Sequence, residues 1–413
     1  ATDLTTIFGE NITAHTGAVT VTDGAYTVAE LVAIAGGTSG QISFTDNTVA
    51  LSGDATDLTT IFGENLAATH EGDVTVTDGA YTVAELVAIA GGTDGAITLN
   101  DTTVALSGDA TDLTTIFGEN ITAHTGAVTV TDGDYTVTEL VAIAGGTSGQ
   151  ITLSDNTVGL SGTVTDLNTI FSENFAAAHE GTVTITNAVA YDIDKLKTIN
   201  AGTDGAITLN DTTIALSGDA TDLALALAAT INHAGDVTVT DGAYTVAELT
   251  AIAGGTSGAI TLSDRTVALS GSATDLTTIF SENFAAGGSH TGAITITGSV
   301  SASQLSTISS ATSGSLTYSI SDTVSNVSAM SNANLIGATN ITATDNAGTT
   351  GSILDLGSYS SASNLTALSV TGDGGINQVE LSTVLSAANK TTIDFVNDAA
   401  VDRLIFNLSA IKE

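Results

Sequence analysis

The sequence predicts an α/β fold: an elongated repeat solenoid with parallel strands on one side and short helices on the other. Three observations predict it. The segment Ala1–Asp54 returns almost unchanged at Ala55 and Ala110, and with more drift at Val164, Ala220 and Ala273, and a period of this length marks a repeat array. Each copy alternates a period-two run of β-branched residues with a run at helical spacing, so strand-helix order repeats. There is no proline among the 413 residues, so nothing interrupts a stack of hydrogen-bonded strands.

Each copy holds two strand-helix units. In the first, Val19 and Val21 alternate with Thr20 and Thr22, the pattern of a half-buried strand. Thr27 followed by Glu30 is a capping box that opens a helix. Val28, Leu31, Val32 and Ala35 share one face of it, and Gly36-Gly37 is the expected stop. The second unit opens with Ile42 and Phe44 on one side of a strand. Asp46-Asn47 turns the chain into a short extra strand, Thr48-Val49-Ala50-Leu51. That strand has two readings, a hairpin with the preceding one or a corner into a second sheet. Asp54 then caps a helix in which Leu58, Ile61 and Phe62 form the buried face, and Gly63 ends it.

A unit of about 27 residues is too small to enclose a core, so stacked units are expected to bury one between sheet and helices. Strand-helix-strand order favours parallel pairing with right-handed crossovers. Residues 1–330 make six tandem repeats, the sixth degenerate, and 331–413 read as divergent capping units that include the strand NITATD and a helix at SASNLTAL. Copy four replaces the usual helix by Asp192-Ile193-Asp194-Lys195-Leu196-Lys197. Copy six loses the extra strand and reads ITITGSVSASQLSTISSATSGSLTYSISDTVSNVSAM from Ile294 to Met330.

That sixth copy carries a resemblance. ITITGSVSASQLSTI and YSISDTVSNVSAM resemble the tandem repeats of large secreted bacterial surface proteins, cyanobacterial ones included, of the adhesin and S-layer kind. The last stretch, TIDFVNDAAVDRLIFNLSAI, is similar to the end of type I-secreted calcium-binding repeat proteins. It comes without their glycine-rich nonapeptide, which Thr371-Gly372-Asp373-Gly374-Gly375 only approaches. The resemblance implies export and an extracellular, cell-surface location.

Composition narrows the function. The chain carries 45 acidic side chains against 6 Lys and Arg, a formal charge of −39. Nucleic acid and anionic membranes need basic patches, so neither is an expected partner. No apolar run reaches the roughly 20 residues of a membrane helix, and no membrane insertion is expected. There is no cysteine, hence no thiol chemistry. The chain opens in mid-repeat without Met, which reads as a processed chain or a piece of a longer one.

Two kinds of repeated column are candidate sites. Asp23, Asp78, Asp132 and Asp241 follow the first strand, and Asp46, Asp101, Asp155, Asp211 and Asp264 follow the second. They read either as turns and N-caps, where Asp is favoured locally, or as calcium ligands. Calcium takes six to eight oxygens and would relieve the repulsion of stacked carboxylates. His15, His70, His124, His179, His233 and His290 form the other column, about 10 Å apart at two strands per copy. They read as a duplicated loop position or as a pH- or metal-responsive ladder at a lateral contact. The Tyr column from Tyr26 and the Phe column from Phe8 read as core.

No cofactor other than calcium is indicated, and the chain reads as a non-enzyme. Every candidate polar residue is multiplied by the repeat, whereas catalysis uses one set of non-equivalent groups. The expected role is structural: a subunit of a surface filament, S-layer-like coat or adhesin stalk, self-associating end to end and laterally. The alternative is a binding module that holds ice or a surface glycan on the outward Thr20/Thr22 ladders.

Overall fold

The computed structural model describes residues 1–344 except 11–14, 119–120, 187–189, 229–230, 282–283, 285–287, 332–333 and 336, and beyond them the strand residues 353–355, 367–371, 378–381, 392–396 and 403–406. The chain divides into two compact units, Ala1–Asp211 and Thr212–Glu413. Each is an α/β solenoid of parallel strands and short helices.

The first unit runs α1 (Thr2–Gly9), β1 (Val19–Val21), α2 (Val28–Gly37), β2 (Ile42–Phe44), β3 (Leu51–Gly53), α3 (Ala55–Phe62), β4 (Val74–Val76), α4 (Val83–Gly92), β5 (Ile97–Leu99), β6 (Leu106–Gly108), α5 (Ala110–Gly118), β7 (Val128–Val130), α6 (Val137–Gly146), β8 (Ile151–Leu153), β9 (Leu160–Gly162), α7 (Val164–Phe171), β10 (Val183–Ile185), α8 (Ile193–Gly202) and β11 (Ile207–Leu209). The second runs β12 (Leu216–Gly218), α9 (Ala220–Ala226), β13 (Val237–Val239), α10 (Val246–Gly255), β14 (Ile260–Leu262), β15 (Leu269–Ser272), α11 (Ala273–Ser281), β16 (Ile294–Val300), α12 (Ala302–Ala311), β17 (Leu316–Thr323), α13 (Val324–Ser328) and β18 (Ala338–Thr344). It continues with β19 (Ile353–Asp355), β20 (Ala367–Thr371), β21 (Gln378–Leu381), β22 (Thr392–Val396) and β23 (Arg403–Phe406).

The extra strand of each copy resolves as the corner. β2 pairs back with β1, while β3 pairs forward with β4, and β4 then pairs with β5. The same happens at β6-β7-β8, β9-β10-β11 and β12-β13-β14. Each Leu-Ser-Gly strand therefore opens a new three-stranded sheet, and the ladder steps sideways once per copy. The strand sits later than Thr48–Leu51. It is Leu51–Gly53, and Thr48–Ala50 form the connection. In the sixth copy, which lacks the insert, the Ile-Thr-Leu and Leu-Ser-Gly equivalents fuse into the single eight-residue β17. There the step is absent, and one sheet runs β15-β16-β17-β18-β20-β22, straight through residue 330. In the segment expected to hold a helix at SASNLTAL, Ala367 and Leu368 belong to β20. The rest of that segment lies outside the described residues.

The helices form for the reasons the sequence gives. Thr27, Thr82, Thr136 and Thr245 each complete a capping box with the Glu three residues on, and Ser301 does so with Gln304. Asp54 and Asp219 accept the N–H of Asp57 and Asp222. Consecutive helices pack on one another within each unit. Leu58, Ile61 and Phe62 are buried as expected, and Ala55 with them. On α2 the buried set is Val28, Leu31, Ile34 and Ala35, with Ile34 rather than Val32 turned into the core. No described helix is long and apolar enough to cross a membrane.

The paired glycines are not a stop. Gly36 and Gly37 both lie inside α2, which is followed by an extended Thr38. A side chain on Gly37, Gly92, Gly146 or Gly202 would overlap the Phe of the preceding helix, respectively Phe8, Phe62, Phe117 and Phe171. The first glycine of each pair meets nothing, and copy four already carries Ala201 there. The second glycine is thus kept by packing, not by backbone conformation. Gly91→Ala should stabilise the chain by about 0.5–1 kcal/mol through the helix interior, whereas Gly92→Ala should destabilise it by about 1–3 kcal/mol through overpacking. Thermal unfolding of the two variants checks this.

Candidate functional site

The histidines expected at a lateral contact are placed elsewhere. His70, His124, His179, His233 and His290 are 0–4% exposed, and only His15, in the first coil, is exposed. Each of the five lies inside the wall, beneath the connection that links the two strands of the preceding coil. Its backbone bridges to the Thr at the start of the next coil, as in His70 to Thr93 and His124 to Thr147. In four of the five the ring Nε2 faces a connection carbonyl: Val49 O at 2.9 Å from His70, Val104 O at 2.8 Å from His124, Ile214 O at 2.8 Å from His233 and Val267 O at 3.0 Å from His290. A carbonyl only accepts, so Nε2 carries the proton and donates. Nδ1 of His124 and His233 faces Thr147 Oγ1 and Thr256 Oγ1 at 3.2 and 2.9 Å.

A Phe from the preceding helix closes the site. Phe62, Phe117, Phe171 and Phe280 stand 5.8–6.0 Å from the rings of His70, His124, His179 and His290. Leu227 takes the Phe position in copy five and is 1% exposed. The His-Phe-Thr group therefore ties three successive coils. The recurrence of His seven or eight residues after Phe in copies one to four was the sequence signal for it.

The Tyr column ties the same connection from its other partner coil, as Tyr26 bonds Asp46 O where His70 bonds Val49 O. Tyr26, Tyr81, Tyr135, Tyr191 and Tyr244 are buried and donate to the carbonyls of Asp46, Asp101, Asp155, Asp211 and Asp264. Burial, and then the nearby Asp charge, pushes Tyr26, Tyr81, Tyr135 and Tyr244 up to about 12.

The aspartates divide into two local jobs. Asp46, Asp101, Asp155 and Asp264 accept both the N–H and the hydroxyl of the Thr two residues on, and these bonds hold their carboxyls below the usual range. Asp78, Asp132 and Asp241 reach back one coil to accept the first helical N–H, from Ala55, Ala110 and Ala220 at 2.9–3.0 Å. Each such helix start thus receives carboxylates from two coils, favoured by its unsatisfied N–H groups and dipole. Asp23, in the first coil, meets the Ala1 amine. Among the described residues no three His, Asp or Glu side chains gather into a group able to hold a metal ion. In this arrangement these aspartates serve helix starts and turns.

A cavity of about 240 Å³ lies beside Phe280 and Ala311, and one of about 380 Å³ occupies the equivalent place in the second copy, against Phe62, Leu66, Thr69 and Gly92. The wall of the first includes Leu262, Arg265, Phe284, Ser289 and His290, and the His290 Nε2 is already engaged by Val267.

The outward rows are short. Ser52, Thr75 and Thr98 lie in register across one sheet, and Ser107, Thr129 and Thr152 across the next. Each row ends where the ladder steps.

By structure the chain is an α/β repeat solenoid. No family model and no curated protein matches it. Among solved structures, the plant peptide hormone receptor RGFR1 in complex with RGF2 aligns at 10% identity and a TM-score of 0.17, over 97% of this chain and 65% of that one, less than two thirds of its length. A likeness that slight carries no argument.

Two expected outcomes follow from the ties. Burial lowers the pKa of His70, His124, His179, His233 and His290, so the folded chain holds them neutral while the unfolded chain protonates them near pH 6.5. Their stability contribution is complete above that pH and is lost as pH falls toward the depressed folded values. The urea midpoint should fall steadily from pH 7 to pH 5, and His124→Gln should make that fall shallower. Asp78→Ala should cost about 0.5–2 kcal/mol, the range for a lost N-cap, read from the same denaturation curves.

Proposed function

We propose that this chain is an extracellular structural repeat protein, forming or decorating a cell-surface filament, S-layer-like coat or adhesin stalk by self-association. The observation that carries this reading is the employment of its polar side chains. Most of the repeated His and Tyr side chains, and Asp78, Asp132 and Asp241, join one coil to the next, so the recurring chemistry of the repeat is cohesion. The exterior left over is strongly acidic, and the first 194 residues offer trypsin-like proteases no Lys or Arg. Both features suit a long-lived exposed scaffold. The resemblance of the sixth copy to bacterial surface repeats points the same way.

A second reading rests on the outward hydroxyl rows. Three in-register hydroxyls per sheet suit a sugar ring better than an ice plane, because the sideways step breaks the flat lattice that ice requires. The surface glycan is accordingly the partner of this alternative.

Negative-stain electron microscopy and light scattering, in millimolar calcium and again in EDTA, test the proposal. Filaments or sheets are expected in calcium. Persistence in EDTA fits assembly through strands and helix faces, and dissolution in EDTA assigns the contacts to calcium. Discrete particles at high concentration in both buffers contradict the structural reading and favour glycan binding.

A further inference from the structure

The repeats hold three cations, Lys195, Lys197 and Arg265. Lys195 Nζ donates to Thr165 Oγ1 at 3.2 Å, and Lys197 Nζ pairs with Asp194 at 3.0 Å. Arg265 stands in the turn between β14 and β15, where other copies carry Asn47, Thr102, Asn156 and Thr212. Three of those side chains tie the turn to the following coil. Asn47 Nδ2 donates to Thr69 O at 3.1 Å, Asn156 Nδ2 to Ala178 O at 3.0 Å, and Thr102 shares a hydroxyl bond with Thr125 at 3.1 Å. Arg265 keeps only the backbone half of this tie, its carbonyl accepting from Thr291 and Gly292 at 2.9 Å. Among the described residues its guanidinium has no hydrogen-bond or ion-pair partner.

The loop that Arg265 meets is rebuilt as well. Phe280 and His290 stand ten positions apart, against seven or eight in copies one to four. In copies two to four the next apolar residue of the loop, Leu66, Ile121 or Phe175, bridges back to Ile42, Ile97 or Ile151. Phe284 lies in a turn instead, on the cavity wall with Phe280 and Leu262. Gly288 has φ +104°, and a β-carbon there would stand 2.9 Å from Arg265 Nη1. The guanidinium thus lies against this loop, on the wall of the 240 Å³ cavity. The equivalent cavity of copy two carries Glu64 and no cation on its wall. This one carries Arg265 and no acid.

We infer that this cavity binds a small monocarboxylate with an apolar body, the carboxylate on Arg265 and the body against Phe280, Phe284 and Leu262. A guanidinium presents paired N–H donors that match the two oxygens of a carboxylate, and half-burial beside aromatic walls strengthens such a pair over one in open water. One cation balances one negative charge. A phosphate dianion would bring a surplus charge into a chain of formal charge −39. The other titratable group on the wall, His290, is kept neutral by burial, and its Nε2 is committed to Val267 O. The volume lies below the roughly 300–1,000 Å³ of drug-sized pockets, which limits the body to one ring or a short chain. The site lies within one chain, so it does not depend on assembly.

Isothermal titration calorimetry of the full chain with hydrocinnamate, an aromatic acid of this size, tests the inference. One equivalent should bind per chain with a Kd of about 0.1–1 mM, the range open to so few atoms. The neutral amide of the same acid should bind at least tenfold more weakly. Arg265→Asn restores the residue that copies one and three carry at this turn. It should leave the circular dichroism and melting of the unliganded chain unchanged and weaken hydrocinnamate binding at least tenfold. Equal affinity of the wild-type and Arg265→Asn chains overturns the inference. Several equivalents per chain also overturn it, because binding would then belong to the cavity that copies share. Inorganic phosphate that binds more tightly than hydrocinnamate overturns it as well, since the site would then hold anions at large. So does the absence of binding up to about 10 mM by calorimetry and ligand-observed NMR.

Discussion

Parallel pairing of the Val-Thr-Val strands β4, β7 and β13 with a Leu-Ser-Gly strand behind and an Ile-Thr-Leu strand ahead is the constraint on which the rest depends. A coil of this size has one short helix and one or two three-residue strands. Alone it buries almost nothing, and isolated short helices are marginal in water. The neighbours on either side convert Leu58, Ile61 and Val74 into core residues that are at most 2% exposed. Once that stacking is fixed, the polar residues have defined tasks. Tyr81 secures the turn of the next coil, Asp78 caps the helix of the previous one, and His70 fills the space between Phe62 and the Val49 carbonyl.

The insert between the two strands of a coil explains the change in architecture along the chain. While it is present, its carbonyls receive the buried histidines and its strand shifts the ladder sideways, so sheets stay three strands wide. Once it is lost, at the sixth copy, strands lengthen to seven and eight residues and one sheet extends to six strands. The same edit removes the seat for a histidine, and none occurs after His290.

Much of this was legible in the sequence because it is local. Period-two runs, capping boxes and apolar spacings such as Leu58, Ile61 and Phe62 depend on residues within one turn of each other. What was not legible depends on the adjacent coil. Gly37 reads as a helix stop until Phe8 is seen above it, and His70 reads as a loop residue until Val49 of the preceding coil is seen beside its ring. Asp78 reads as a turn residue or an ion ligand until the Ala55 N–H is seen to point at it. Spacing along one copy cannot report a contact some 20 residues away, and only the recurrence of Phe, His and Thr in most copies hinted at one.

The central claim is that a coil's stability belongs to its neighbours, and the repeat provides an internal control. Thr2–Asn11 and Thr56–Asn65 are identical in sequence, so their intrinsic amide exchange rates match. Hydrogen exchange by mass spectrometry at low protein concentration, on peptides long enough to include the differing flanks, compares them within one molecule. α3 should be protected by orders of magnitude more than α1, whose Ile7 is 48% exposed where Ile61 is 2%. Equal protection of the two helices would contradict it, because stability would then reside in the sequence of the coil itself.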